Sequence, residues 1–258
     1  MSDDPYKAPA LEKGLDILEC LSTVRTPLSI AEIARTIGRS RNEIYRMIVV
    51  LELRGYIERT EDPEKFQLSN RLFEVGMRSP PKRDLHDAAL PEMSSLAMQM
   101  MQSIQLAVVS SDQIVVIART ESPDDVGFSV RLGHRRSIMN SASGLILFAF
   151  AALGHKSSIL EHLKAGGASA AELDAFQEQA EGIRKAGHVC MPSRMVDGVT
   201  DIGAPIFDST SASAVASLTV PFVVTRRTKV SLSDAPGLIA SAADRISAAL
   251  GHVPPALA

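Results

Sequence analysis

Apolar residues recur along the first third of the chain at two different periods. Leu11, Leu15, Leu18 and Leu21 fall on one helical stripe, and Pro27 ends that run. Ser29-Ile30-Ala31-Glu32 then has the form of a capping box. The serine oxygen accepts an N–H of the first turn while the glutamate reaches back to the serine N–H. Ile30, Ile33, Ala34 and Ile37 form the inner face of the helix it opens, and Gly38 stops it. Ser40-Arg41-Asn42-Glu43 is a second capping box, opening a helix with Ile44, Met47, Ile48 and Leu51 inward and Gly55 at its end. Two capped helices about a short glycine-containing turn predict a helix-turn-helix. The period then drops to two. Tyr56 to Thr60 and Lys65 to Leu68 alternate around Glu61-Asp62-Pro63-Glu64, which predicts a β-hairpin, or wing. Ser69 can cap a further short helix carrying Leu72, Phe73 and Val75.

A break follows at Ser79-Pro80-Pro81-Lys82-Arg83, where paired prolines favour an extended or turn segment over a helix interior. It divides the chain into domains 1–79 and 80–258. Past it, a helix from about Leu85 to Met101 carries Leu85, Ala89, Met93, Leu96 and Met100 on one side. Strands are expected at Leu106–Val109 and Ile114–Ala118, with a third at Phe128–Leu132. Helices are expected over Ser141–Leu153, His155–Leu163 and Ala171–Ala186. Two more strands, Ile202–Phe207 and Ala214–Val220, precede a last helix from about Asp234 to Leu250. Hairpin-like neighbours imply a largely antiparallel sheet with helices packed on it, so the fold class is α+β. No internal repeat is visible.

Charge sharpens the picture of the first domain. The whole chain carries a formal net charge of −3, which excludes a globally basic nucleic-acid binder. From Arg25 to Thr60, however, seven arginines stand against four glutamates, a local excess of three positive charges. In a helix-turn-helix the second helix reads base edges with its first turns and grips phosphates with its flanks. The outward positions here are Arg41, Asn42, Tyr45, Arg46 and Val49, with Arg39 in the turn before them. Arginine pairs bidentately with guanine and asparagine with adenine, each good pair giving ~1–3 kcal/mol of discrimination. Arg39, and Arg59 or Lys65 in the wing, are candidate phosphate contacts. A solvated amphipathic face carries the same residue types, so no single arginine decides the matter. The paired caps, the hairpin and the local charge together point to double-stranded DNA.

The stretch LEKGLDILECL…TPLSIAEIARTIGRSRNEIYRMIVVLELRGYIER…KFQLSNRLFEVG resembles the DNA-binding domain of the IclR family of bacterial regulators. VRLGHRRSIMNSASGLILFAF is similar to that family's glycine-basic turn leading into an apolar helix. IRKAGHVCMPSRMVDGVTDIGAPIFD resembles its segment ending in an Ala-Pro strand, here running from Gly198 to Pro205. The resemblance implies a winged helix-turn-helix joined to a GAF-like domain that binds an effector and mediates oligomerisation. It further implies a homodimer made through the N-terminal domains, often a dimer of dimers, acting as a one-component transcription regulator. Carried over by position, the effector pocket takes in Asn140, Ser141, Ala142 and Ser143, then Asp201, and Ser217 and Thr219. A helix N-terminus suits a carboxylate, so a small organic acid is the expected effector. Two departures stand out. Asp201 occupies a position where relatives often carry a neutral or sulfur-bearing residue; facing the pocket, it calls for an effector with a hydrogen-bond donor or positive group. The helix start also lacks the histidine and lysine common near it in the family.

Other chemistries find little support. The six histidines (86, 134, 155, 162, 188 and 252) are scattered and show no His-Glu-x-x-His, and neither a Gly-x-Ser-x-Gly elbow nor a phosphate loop is present. No cofactor and no metal are expected. Cys20 and Cys190 match neither disulfide nor zinc spacing, which fits a reducing cytoplasm, and Cys190 reads as an inert buried thiol. The acidic start MSDDPYKAP does not read as a signal peptide, and no apolar run approaches the ~20 residues of a membrane span. Two rival readings remain: a C-terminal domain used only for oligomerisation, and a small-molecule-processing enzyme carrying a helix-turn-helix.

Overall fold

The computed structural model describes residues 8–78, 80–125 and 127–253, with side chains throughout these ranges except at 80–83. Ser79, at the compositional break, and the first residues of the acidic N-terminus lie outside the described residues. The chain divides into two compact units, residues 1–83 and 84–258.

The first unit runs α1 (Pro9–Thr23), β1 (Leu28–Ser29), α2 (Ile30–Thr36), α3 (Arg41–Leu53), β2 (Ile57–Arg59), β3 (Lys65–Leu68) and α4 (Arg71–Met77). Both capping boxes form as expected. The Ser29 and Ser40 hydroxyls accept from the Glu32 and Glu43 backbone N–H groups, and both glutamates return the contact. Gly38 and Gly55 adopt the left-handed conformation that ends each helix, at φ 67° and 72°. Ile17, Cys20, Leu21, Ile33, Ile44, Ile48, Ile57 and Phe66 form the core. The leucine stripe of α1 is only partly inward. Leu21 is buried, whereas Leu11 and Leu15 are 63% and 48% exposed; Ile17 and Cys20 take the inner positions. The wing gains a strand that periodicity does not reveal, because β1 is two residues long and exists by pairing with β3. Asn70, not Ser69, occupies the N-cap of α4, although the Ser69 hydroxyl does accept from the Arg71 N–H at 3.1 Å.

Helix α5 (Pro80–Met100) begins on the paired prolines, a correction to the expected extended segment. A first-turn N–H has no intrahelical partner, so proline loses nothing there. The helix buries Leu85, Ala89, Met93, Leu96 and Met100, the stripe read from sequence. Then follow β4 (Ile104–Ser110), β5 (Gln113–Thr120), β6 (Arg135–Ser137), a 3₁₀ turn (Ile138–Asn140), α6 (Ala142–Ala149), α7 (Leu153–Ala165), α8 (Ala170–Ala186), β7 (Val189–Pro192), β8 (Val199–Ile206), β9 (Ala216–Val223) and α9 (Ala235–Ala249). The strands form one six-stranded antiparallel sheet in the order β6-β5-β4-β9-β8-β7. The third strand is Arg135–Ser137 rather than Phe128–Leu132. Val116 explains the shift: its carbonyl accepts from Gly133 N–H and its own N–H donates to the His134 carbonyl, so the chain docks on β5 only after the turn.

Strand alternation divides the sheet between two cores. Ile104, Leu106, Ile202, Ala204, Leu218, Val220 and Phe222 face α5 and α9. Ala107, Ile114 and Val116 face the 3₁₀ turn and helices α6, α7 and α8. Every residue of α6 is buried, and Gly144 is required there because a Cβ would sit 2.0 Å from the Ile138 carbonyl oxygen. This is the α+β architecture expected from the sequence, with helices on both sheet faces. Cys190 is exposed, not buried: it lies on β7, an edge strand of the sheet. Among the described residues, no helix is long and apolar enough to cross a membrane.

Candidate functional site

In the first unit, the start of α3 presents Arg41, Asn42, Tyr45 and Arg46 to solvent. Among the described residues, Arg41, Asn42 and Arg46 make no hydrogen bond or ion pair, so their donors are free for an external partner. Glu43 does not compete for that face. Its carboxylate accepts from the Ser40 N–H at 2.9 Å and hydroxyl at 2.7 Å, and Lys13 lies 3.5 Å away. Those hydrogen bonds hold its pKa down to about 2. Arg39 stands 4.0 Å from Asp16 and is still substantially exposed.

Arg59 is different from the other candidates. Its guanidinium donates to Glu52 on α3 at 2.6 Å and to the Pro63 carbonyl across the wing turn, and it lies 4.7 Å over the Phe66 ring. The charge is matched by Glu52, and the side chain braces the wing against α3. The seven-residue separation of Glu52 and Arg59 spans the helix end and a turn, so no sequence periodicity marks the pair. Lys65 is half-buried, close enough to Glu32 to stabilise its ionised form.

In the second unit, a small recess of about 50 Å³, partly open to solvent, lies on the α6 face of the sheet. Its floor is fixed by register. Gln105 of β4 pairs with Thr219 of β9, and Asp201 of β8 pairs with Pro221, so side chains from three adjacent strands share this face. One wall is the start of α6, Ser141 to Ser143; another is the turn bearing His134 and Arg136; Phe128 and Val130 add apolar cover. Three clamps position these parts. Gly133 holds φ 76°, tucking His134 beside β5; Arg119 donates to the Val130 carbonyl at 3.3 Å. Arg194 donates at 2.6 Å both to the Met139 carbonyl and to Gln179, drawing the β7–β8 loop with Ser193 and Met195 against the recess.

The structure gathers Ser141, Ala142, Ser143, Asp201 and Thr219 in this recess. It leaves out two expected members. Asn140 ends the 3₁₀ turn with its side chain in solvent, because the chain turns inward only at Ser141. Ser217 is fully buried two register positions further along, its hydroxyl directed at the Ala107 carbonyl 3.5 Å away. Sequence reasoning missed Gln105, His134, Arg136 and Ser193. The basic residues absent from the helix start are supplied by the preceding glycine-basic turn, whose His134-Arg135-Arg136 run was the available signal.

Electrostatics set the character of the recess. Burial pushes the Asp201 carboxyl above its ordinary 3.8, opposed by a hydrogen bond from Ser193 and by the charge of Arg136. The His134 Nε2 atom is buried and has no hydrogen-bond partner. Gln105 is 6% exposed, and its carboxamide makes no hydrogen bond among the described residues. By contrast, Ser143 and Thr219 spend their hydroxyls on each other, and the Ser141 hydroxyl accepts from the Gly144 N–H at 3.0 Å.

Comparison with known proteins agrees with this division of labour. Residues 10–61 match the IclR helix-turn-helix domain, and residues 78–248 match the bacterial transcriptional regulator IclR C-terminal domain. The HTH-type transcriptional regulator KdgR of Escherichia coli (strain K12) is 24% identical over 255 residues, covering 98% of this chain and 96% of its own. An IclR homolog from Microbacterium hydrocarbonoxydans, solved in complex with 4-hydroxybenzoate, superposes with a TM-score of 0.77 at 22% identity, covering 94% of this chain and 99% of its own. Pseudomonas aeruginosa HmgR gives 0.74 at 21% identity, over 95% and 100%. At these identities the solved structures attest the fold alone. The two domain matches together span most of the residues, and the chain belongs to the IclR family of bacterial transcriptional regulators.

Proposed function

We propose that this chain is a one-component transcription regulator whose DNA affinity is set by a small organic acid bound in the recess beside α6. Residues 1–79 act as the DNA-binding domain, with Arg41, Asn42, Tyr45 and Arg46 toward base edges and Arg39 and Lys65 toward phosphates. Residues 80–258 act as the effector-binding and oligomerisation domain. The observation that carries the reading is the pairing of two unsatisfied surfaces. Arg41, Asn42 and Arg46 have free donors on a doubly capped helix-turn-helix, while Arg136, Gln105 and His134 have free polar groups around one small recess. A cation beside a helix start suits an anionic ligand. The 4-hydroxybenzoate bound by the Microbacterium homolog is a ligand of that class.

The protein acts in the cytoplasm as a homodimer, or a dimer of dimers. Exposed Leu11 and Leu15 on α1, and Leu72, Phe73 and Val75 on α4, supply apolar surface for the pairing of N-terminal domains. The effector binds one quaternary arrangement better than another, and the arrangements differ in the spacing of the two α3 helices. Coupling of ~1–3 kcal/mol, or about five- to 150-fold in DNA affinity, is the expected size. The effector is sensed and not turned over.

Fluorescence anisotropy with labelled DNA from upstream of the protein's own gene, at two salt concentrations, tests this. Salt-sensitive binding that survives excess competitor DNA, and that shifts when small acids are titrated in, is the expected result. Specific DNA binding untouched by any acid would leave the C-terminal domain an oligomerisation module. Non-specific binding alone would point to a different operator or to a helix-turn-helix used for assembly.

A further inference from the structure

We infer that Arg194 latches a gate over the recess: its two hydrogen bonds hold the β7–β8 loop shut, and a ligand enters when they are released. As a control on effector entry this rests on the reading of the recess as the effector site; as a motion it stands on geometry alone. The recess holds about 50 Å³, room for a few water molecules, whereas sites for small organic ligands span roughly 300–1,000 Å³. The recess is therefore closed, and a wall has to move before an organic acid fits.

Most of the enclosure is fixed. Gln105, Thr219, Asp201 and Pro221 stand on three hydrogen-bonded strands. The start of α6 is wedged by Gly144 against Ile138 and pinned to β9 by the Ser143–Thr219 hydrogen bond. The turn bearing His134 is bonded twice to Val116. The stretch carrying Phe128 and Val130 runs into that turn, and before it the Ser122 hydroxyl donates to the Met101 carbonyl at 3.0 Å. The β7–β8 loop is the exception. It closes on itself, with the Ser193 N–H donating to the Val199 carbonyl at 2.8 Å and Gly198 at φ 79°. Beyond that closure on Val199, and among the described residues, 194–198 make hydrogen bonds or ion pairs to other elements only through the Arg194 guanidinium. One arm donates to the Met139 carbonyl, in the 3₁₀ turn leading into α6, and the other to Gln179 of α8, each at 2.6 Å. Arg194 and Gln179 are both exposed, so water competes for these bonds and replaces them on release. Met195 lines the recess from the loop and is itself exposed, so an outward swing uncovers the recess without opening a core. Arg194 and Gln179 also border an open hollow of about 440 Å³ between α8 and β7, which leaves space for the released guanidinium.

Thiol labelling reads the gate without any effector. In the full-length protein, Cys190→Ser removes the exposed thiol and Ala142→Cys places one on the recess wall, where iodoacetamide reaches it only when the recess opens. In that background Arg194→Gln should speed labelling about tenfold or more. Gln179→Ala, which removes one bond from outside the loop, should speed it severalfold and keeps the test decisive where the Arg194 variant folds poorly. Labelling as slow in both variants as in the parent, or accelerated by Arg119→Gln and not by Arg194→Gln, would overturn the gate and leave the effector site standing. Isothermal titration with butyrate and benzoate then connects the gate to binding. Acids too large for the closed recess wait on the same opening, so Arg194→Gln should tighten both by a common factor of about tenfold or more. Acids that bind Arg194→Gln no better than the wild type would overturn the latch as a control on entry. Accelerated labelling with neither acid bound at millimolar concentration would leave the gate standing and overturn the effector reading.

Discussion

The hydroxyls of Ser143 and Thr219, 76 residues apart in sequence, share a hydrogen bond of 3.2 Å that ties the first turn of α6 to an inner strand of the sheet. Both side chains are buried, at 8% and 5% exposure. Thr219→Val keeps the shape and orphans the Ser143 hydroxyl. It should destabilise the C-terminal unit by ~1–3 kcal/mol, while Ser143→Ala with Thr219→Val together should cost less than the two single changes added. Urea unfolding followed by circular dichroism checks this. Strict additivity would mean that the hydroxyls do not depend on each other.

Gly144 allows that contact to exist. A Cβ at this position would meet the Ile138 carbonyl oxygen at 2.0 Å and its Cα at 2.6 Å, and backbone cannot swing aside as a side chain can. Gly144→Ala must therefore lift α6 off the 3₁₀ turn, disturbing Ser141 and the recess. A loss of about 3 kcal/mol or more is expected, at or beyond the upper end of overpacking effects, with effector binding lost as well. A variant that melts like the wild type would show that the two segments part easily.

What the sequence made legible was what local chemistry decides. Both capping boxes involve partners three residues apart, the wing is a contiguous alternation, and the α5 stripe repeats within one helix. Each survives in the structure with little change. What escaped depends on distant partners. The two-residue strand β1 and three-residue strand β6 exist through pairing with β3 and β5, and carry no period of their own. Leu11 and Leu15 belong to a valid helical stripe, but the unit is too small for its core to cover the start of α1. Five residues that line the recess, Ser141, Ala142, Ser143, Asp201 and Thr219, are ones that the family pattern had singled out. Gln105, His134, Arg136 and Ser193 were missed because the recess converges from segments of chain about 30 to 90 residues apart, and antiparallel register decides which side chains meet.

Asp201 should make stability depend on pH in a definite direction. Its folded-state pKa is raised above the ordinary 3.8 by burial, so the folded form binds the proton more tightly than the unfolded chain does. That preference is fully present below the ordinary value and is lost as pH rises through the folded value. At neutral pH the wild type therefore holds an ionised carboxylate it would rather protonate. Asp201→Asn should melt at a higher temperature than the wild type near pH 7.5, and the gap should close as the pH is lowered toward about 4. A gap that widens on acidification would mean that Ser193 and Arg136 outweigh burial.

Arg46 and Arg59 offer a sharper test of the DNA-binding face, because both are arginines on one small unit and only one is unpartnered. A free cation that meets a phosphate releases a counterion, and removing it lowers the slope of log affinity against log salt by about one. Arg46→Ala should weaken operator binding and flatten that slope. Arg59 donates to Glu52 and to Pro63 across the wing, so its charge is already compensated and its loss acts through wing geometry. Arg59→Ala should weaken binding while leaving the slope close to that of the wild type. Anisotropy titrations of both variants across a salt series separate the cases. If Arg59→Ala flattens the slope as Arg46→Ala does, then Arg59 exchanges Glu52 for a phosphate on binding, and Glu52→Gln should then raise DNA affinity by freeing the guanidinium in advance.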